Sequence, residues 1–233
     1  MIEPCQEQRA TRDVPNYSLA EAANWLGLVP TTLRVWLLGQ NYRTRSGTRR
    51  AKPVVKPAST SPLELSFWNL VECSVIGVIR KTHRVSFQKV RRALDYVSRE
   101  LDKRRPLIEE QFSTDGVDLF VERYGKLIAA SQAGQLALRE LLEASLTRIE
   151  RDATGLATRF FPWSHRPDEP RVVSVDPRVS FGRPVLIGTG IPIESILGRF
   201  RAGDSPEDLS ADYQVPTPRI LDLVRWALGP AAA

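Results

Sequence analysis

The segment YSLAEAANWLGLVPTTLRVWLLG, residues 17 to 39, leaves little freedom in how it folds. Ser18 followed by Glu21 has the spacing of a capping box, in which the serine oxygen takes a backbone N–H and the glutamate reaches back. Leu19, Ala22, Ala23 and Leu26 then recur at helical spacing beside Trp25, and Gly27 supplies the positive φ that ends a helix. After Leu28 and Val29, Pro30 with Thr31 or Thr32 can open a second helix that turns Leu33, Trp36 and Leu37 inward. Two short helices joined by a glycine-containing turn are a helix-turn-helix.

The stretch that overlaps and extends this pair is unusually cationic. Between Glu21 and Glu64 there is no acidic residue, while Arg34, Arg43, Arg45, Arg49, Arg50, Lys52 and Lys56 all fall in that interval. A polyanion lying against it meets no repelling carboxylate, and nucleic acid is the polyanion such a segment suits. A solvated basic tail is the alternative reading of a charge run, but the helical punctuation just upstream speaks against it. Thr31, Thr32, Arg34, Arg43, Arg45, Arg49, Arg50 and Lys52 are the expected DNA-contacting set, with Gln40 near the same face. Arginine provides all but six of the 33 basic residues, and its planar fork suits phosphate and guanine.

On these residues the front of the chain resembles the MerR-like winged helix-turn-helix domains, where a run like the TTLRVWLLG here marks the recognition helix. The resemblance implies that residues 43 to 63 form the wing, with Arg49 and Arg50 reaching backbone or minor groove. Two further helical patterns lie in residues 64 to 100. One contains Leu65, Leu70, Val71, Val75, Ile76 and Ile79, and the other Phe87, Val90, Ala93, Leu94 and Val97. The long dimerising helix of the metal- and drug-sensing relatives has no counterpart in the pattern.

Residues 107 to 131 alternate in part between apolar and polar, through Leu119, Val121 and Leu127. Asp115-Gly116 and Tyr124-Gly125 give turn signals, so a short antiparallel hairpin is expected. Gln132 to Asp152 reads as helix, with Leu138, Leu141, Leu142, Leu146 and Ile149 on one face and Arg139, Glu140, Glu143 and Arg148 turned away. Thr158 to Trp163 reads as a strand, and His165 to Pro170 as a linker. Beyond it come a strand at Val172, Val173 and Val175 and three short helices. The second is announced by Ser205-Pro206-Glu207-Asp208. The third starts at Thr217-Pro218 and places Ile220, Leu221, Val224 and Leu228 inward.

The run DPRVSFGRPVLIGTGIPIESILGRFRAGDSPEDLSADY, with LDLVRWAL after it, resembles a small antitoxin-associated module known only as a domain of unknown function. The likeness spans about residues 172 to 228 and departs at Gly190, where arginine is usual. Together with the MerR-like front, the whole chain resembles a large VapB-type antitoxin of a type II toxin–antitoxin system. That resemblance implies a VapC-type PIN-domain ribonuclease toxin as partner, operator DNA as ligand, repression of the shared operon and a homodimer. The toxin-contacting residues are not identified by it.

The expected architecture is α+β, mainly α with small β hairpins. It divides into a winged helix-turn-helix over 1–103, a β-hairpin plus helix over 104–165 and a trihelical, homeodomain-like module over 166–233. No cofactor or metal is implied. His83 and His165 are isolated, Cys5 and Cys73 are not spaced as ligands, and the GTG at 188 to 190 lacks a phosphate-loop pattern. Glu109, Glu110, Asp115 and Asp118 could imitate a divalent-metal nuclease site, but surface acids explain them more simply, and a non-enzymatic chain is expected. With no disulfide framework, signal peptide or bilayer-length apolar run, the expected location is the cytoplasm, without membrane contact. A stand-alone transcription regulator or excisionase-like architectural protein is the alternative function.

Overall fold

A computed structural model describes residues 11–44, 47–82, 87–162 and 169–228. The chain divides into two compact units, Met1–Thr158 and Arg159–Ala233. Both are built from helices and small antiparallel strand pairs, which makes the fold α+β.

In the first unit, strand β1 (Tyr17–Ser18) leads into helix α1 (Leu19–Trp25). The capping box forms: Glu21 N donates to Ser18 Oγ at 3.3 Å, and Ser18 N donates to Glu21 Oε2 at 2.9 Å. Two of the helix's orphan N-terminal donors are thereby satisfied. Gly27, at φ 60, turns the chain into helix α2 (Pro30–Leu38), which buries Leu33, Trp36 and Leu37 against α1. Tyr17 meets Trp25 edge-to-face at 5.5 Å, closing the far side of this small core.

Gly39 separates α2 from a hairpin made of β2 (Gln40–Thr44) and β3 (Gly47–Ala51). The chain then adds β4 (Ser59–Thr60) and β5 (Leu63–Leu65), and β1, β5 and β4 make a three-stranded sheet. Helix α3 (Phe67–Thr82) is buried on every side over residues 67 to 79, so it forms the central post of the unit. Helix α4 (Phe87–Glu100) is strongly amphipathic, with Val90, Ala93 and Val97 fully buried.

The middle of the chain corrects the expected hairpin. Residues 107 to 131 are largely helical: a 3-10 turn at Pro106–Ile108 and a π turn at Phe112–Gly116 lead into helix α5 (Val117–Ile128). The glycines read as turns are packing positions. A β-carbon on Gly116 would lie 2.7 Å from the Phe112 ring, and one on Gly125 would lie 2.7 Å from the Gln135 side chain. Helix α6 (Gln132–Leu146), capped by Ser131, stops short of the expected end at Asp152. Ile149–Arg151 is strand β6 instead, paired with β7 (Ala157–Phe160), and Arg148 is buried rather than turned to solvent. Trp163, the expected strand end, and most of the expected linker lie outside the described residues.

In the second unit β8 (Val173–Ser174) pairs with β9 (Val185–Leu186), and Val175 bridges to Phe160. Helices α7 (Ile193–Ala202), α8 (Pro206–Tyr213) and α9 (Thr217–Leu228) enclose a core of Val173, Leu186, Ile196, Leu209, Ile220 and Leu223 among others. Ser205 caps α8 by accepting from Asp208 N at 3.1 Å, with Pro206 at the first helical position. On α9 the inward set differs from expectation, because Leu223 takes a core position and Leu228, expected inside, is exposed.

Candidate nucleic-acid interface

Helix α2 buries one stripe and presents the other. Leu33, Trp36 and Leu37 face the core, while Thr31 and Arg34, three residues apart, are exposed neighbours on the outer side. Thr32 is half-buried and lies on the opposite flank from Arg34. Val29, at the helix N-cap, is 63% exposed. It stands exposed at the open end of α2, a position that the sequence pattern does not single out. A valine next to a helix-opening proline, outside the apolar stripe, is the signal that marks it.

The hairpin continues from α2 with the register Asn41↔Arg50, Tyr42↔Arg49, Arg43↔Thr48. Directly opposed residues share a face and successive residues alternate. Asn41, Arg43, Thr48 and Arg50 therefore occupy one face, and Tyr42 with Arg49 the other. Arg49 and Arg50, adjacent in sequence, project to opposite sides. Arg43, Arg49, Arg50 and Lys52 are all exposed, whereas Tyr42 is half-buried. Arg45 lies outside the described residues.

None of Arg34, Arg43, Arg49, Arg50, Lys52 and Lys56 has a carboxylate partner among the described residues, whereas several arginines elsewhere are paired. Arg12 binds Asp152 at 2.6 Å, and Arg178 binds Asp176 at 2.9 Å. Arg199 spans Asp204 and Asp212 at 2.6 and 2.7 Å. The cations on α2 and the hairpin thus form a run of exposed positive charge with no internal counter-charge among the described residues.

Behind this face, a polar network holds the surrounding loops. Asn69 Oδ1 accepts from Ala58 N and Ser66 N at 2.9 and 3.1 Å, and its amide donates to Lys56 O at 2.9 Å. The same amide donates to Glu72 Oε2 at 3.2 Å. Arg105 grips Glu72 with two parallel bonds of 3.0 and 2.7 Å and donates to Asp13 at 2.6 Å. Burial opposes the charge on Arg105, but Glu72 and then Asp13 outweigh it and raise its pKa. The thiol of neighbouring Cys73 is pushed well up by its burial, with Glu72 adding to the effect and Arg105 opposing it.

Two of the four acids singled out in the middle region are engaged in ion pairs. Glu109 pairs with Lys103 at 3.0 Å and Asp118 with Arg139. Among the described residues no three or more His, Cys, Asp or Glu side chains converge as metal ligands. No described helix is long and apolar enough to cross a membrane.

Residues 173–227 match the family described as Protein of unknown function (DUF433), which places the second unit in that class of module. The fold is similar to the crystal structure of Rv2018 from Mycobacterium tuberculosis, with a TM-score of 0.65. That likeness runs at 24% identity over 91% of this chain and 98% of the other. Over 98% of both chains the sequence is 30% identical to Putative antitoxin VapB45 of Mycobacterium tuberculosis (strain H37Rv). The chain belongs to the VapB family of antitoxins.

Proposed function

We propose that the chain neutralises a cognate PIN-domain ribonuclease by protein contact and represses its own operon by binding operator DNA as a homodimer. The antitoxin part rests on the full-length relationship to VapB45 and on the module over residues 173–227. The DNA part rests on one observation: the exposed cations of α2 and the hairpin have no internal counter-charge among the described residues.

In this reading residues 1–103 are the DNA-binding head, a winged helix-turn-helix with α2 as recognition helix and β2–β3 as wing. Thr31, Thr32 and Arg34 meet base edges or phosphates. Arg43, Arg45, Arg49, Arg50 and Lys52 hold the backbone alongside. Residues 104–165 brace the head, and the trihelical module over 166–233 completes the antitoxin. The chain acts without catalysis, in the cytoplasm where its operator and the ribonuclease's RNA are found.

Co-expression with the ribonuclease encoded beside it tests the first part. The antitoxin restores growth and co-purifies with the toxin, and failure of both removes the assignment. Sequencing DNA bound by the purified chain tests the second, with enrichment of its own promoter expected and a uniform genomic background contradicting it.

A further inference from the structure

The chain between β8 and β9 carries the most exposed large hydrophobic side chain among the described residues. Phe181 is 89% exposed, against 69% for Leu228, the next in order. It is also held in the left-handed region, at φ 57 and ψ 31, between Ser180 at φ 48 and Gly182 at φ 78. A bulky residue is an outlier there, whereas glycine adopts that conformation without strain. The fold of the unit therefore does not account for an aromatic ring at this point.

The turn is firmly tied. Gly182 N donates to Val179 O at 2.9 Å, and Arg183 N to Ser180 O at 3.1 Å. At its base the buried Asp176 carboxylate accepts from Arg178 N, Nε and Nη2 at 2.9, 3.0 and 2.9 Å. Ser180 Oγ donates to Gly190 O at 2.7 Å, which joins the turn to the backbone at Gly190. Gly190 is exposed, its φ lies outside the left-handed region, and no atom beyond its chain neighbours stands within 4 Å of where a β-carbon would be. Neither conformation nor crowding within the unit requires a glycine there. Gly198, on the exposed side of α7, is bare in the same way, and Arg183 with Glu194 at 3.7 Å ties the first turn of that helix to the Phe181 turn. Bare backbone admits the close approach of another group.

Charge and shape select the occupant. Arg178 and Arg183, on either side of Phe181 in the chain, are paired with Asp176 and Glu194. The turn thus lacks the run of uncompensated cations that α2 and the hairpin offer a polyanion. A second copy meets no net charge at these pairs, and it brings both things the contact needs: bare backbone to receive a ring, and a ring to return. Two such contacts about a two-fold axis are self-complementary. A phenylalanine buries about 150–250 Å², so ring and receiving backbone come to roughly half of the ~800 Å² per partner of a stable pair. The pairing is accordingly weak and concentration-dependent.

We propose that Phe181 anchors a self-contact between two copies of this chain, the ring of each lying on the bare backbone about Gly190 of the other. The inference rests on the homodimer reading and supplies the contact that reading leaves unassigned. On DNA, two half-sites hold two copies at high local concentration and complete the pairing.

Sedimentation equilibrium of the full chain over about 1 to 100 µM tests it. The wild type is expected to self-associate, and Phe181→Gly to weaken the association at least about tenfold. The same variant relieves the left-handed strain, so at dilutions where both are monomers it should melt at or above the wild-type temperature. Gly190→Arg enters open space and is expected to weaken the association by a similar factor. Wild-type association left intact by either variant overturns the contact and spares the homodimer reading. A wild type that stays monomeric throughout overturns the contact, and one chain per operator in the same preparation overturns the homodimer reading as well. A lower melting temperature for Phe181→Gly shows the ring to be part of the fold and overturns the proposal. Intact self-association with loss of ribonuclease capture assigns the ring to a different protein and overturns it too.

Discussion

A β-carbon on Gly39 would overlap the carbonyl oxygen of Ala51, so the end of α2 and the end of β3 approach as closely as backbone allows. Gly39 also sits at φ 74, ψ −176, a conformation essentially reserved for glycine. This residue sets the angle between the proposed recognition helix and the proposed wing. Gly39→Ala is expected to destabilise the first unit by about 1–3 kcal/mol from backbone strain, with the overlap adding to that. Urea melts followed by tryptophan fluorescence measure it, since Trp36 is buried beside the junction. Operator binding should weaken even at temperatures where the variant is fully folded, and an unchanged gel shift there would show that the junction angle is immaterial.

The two faces of the hairpin make unequal demands on DNA. Arg43 and Arg50 share one face with Asn41 and Thr48, while Arg49 shares the other with half-buried Tyr42. The first face carries two cations and no apolar body, which suits it to phosphate. If roughly four to seven phosphates are contacted, log affinity falls against log salt with a slope of about −4 to −6. Arg43→Ala/Arg50→Ala should make that slope shallower by about two, and Arg49→Ala by about half as much or less. Equal effects from Arg49 alone and from the pair would reject the assignment of faces.

Legibility in the sequence tracks how local each physical signal is. The α1–α2 pair is readable because Ser18, Glu21, Gly27 and Pro30 act within a few residues of themselves, and α8 is readable from Ser205 and Pro206 for the same reason. Gly116 and Gly125 mislead because glycine is ambiguous: it permits turns, but it also permits a helix to touch Phe112 or Gln135. The structural roles of Arg12 and Arg105 are invisible in the sequence, since Asp152 is 140 residues from Arg12 and Asp13 is 92 from Arg105. Only folding separates those paired cations from the unpaired ones on α2 and the hairpin.

The grip of Arg105 on Glu72 predicts strong non-additivity. Glu72 is only 7% exposed, and its carboxylate is held by Arg105 and Asn69. Removing one partner of a buried pair strands the other charge. Arg105→Ala should therefore cost about 3 kcal/mol or more, a loss that includes its stacking over Trp68 at 5.4 Å. Replacing both members, as Glu72→Met/Arg105→Met, should cost clearly less than the sum of the single changes. A double-mutant cycle on chemical melts reads the difference, and additive losses would show the pair to be energetically independent. In the same melts Cys73, buried with a raised thiol pKa, should react with iodoacetamide only as the unit unfolds.

Asp152 contributes to the acid limb of stability. Partial burial alone would raise its pKa, but four donors outweigh that: Thr154 Oγ1 at 2.6 Å, Arg12 Nη1 at 2.6 Å, Leu156 N at 3.2 Å and Thr154 N at 3.0 Å. The carboxyl is held down at about 2, against 3.8 ordinarily. A depressed folded-state pKa means that the unfolded chain takes up the proton first as pH falls. The stabilisation is complete above about pH 4–5 and is lost on going down towards pH 2. Asp152→Asn removes it and leaves Arg12, 5% exposed, without its counter-charge. The melting temperature of the variant should therefore lie well below wild type at pH 6, with the gap closing as both are acidified to about pH 2.5. A gap of constant size across that range would mean that Asp152 stabilises the unit through its hydrogen-bonded shape and not through its charge.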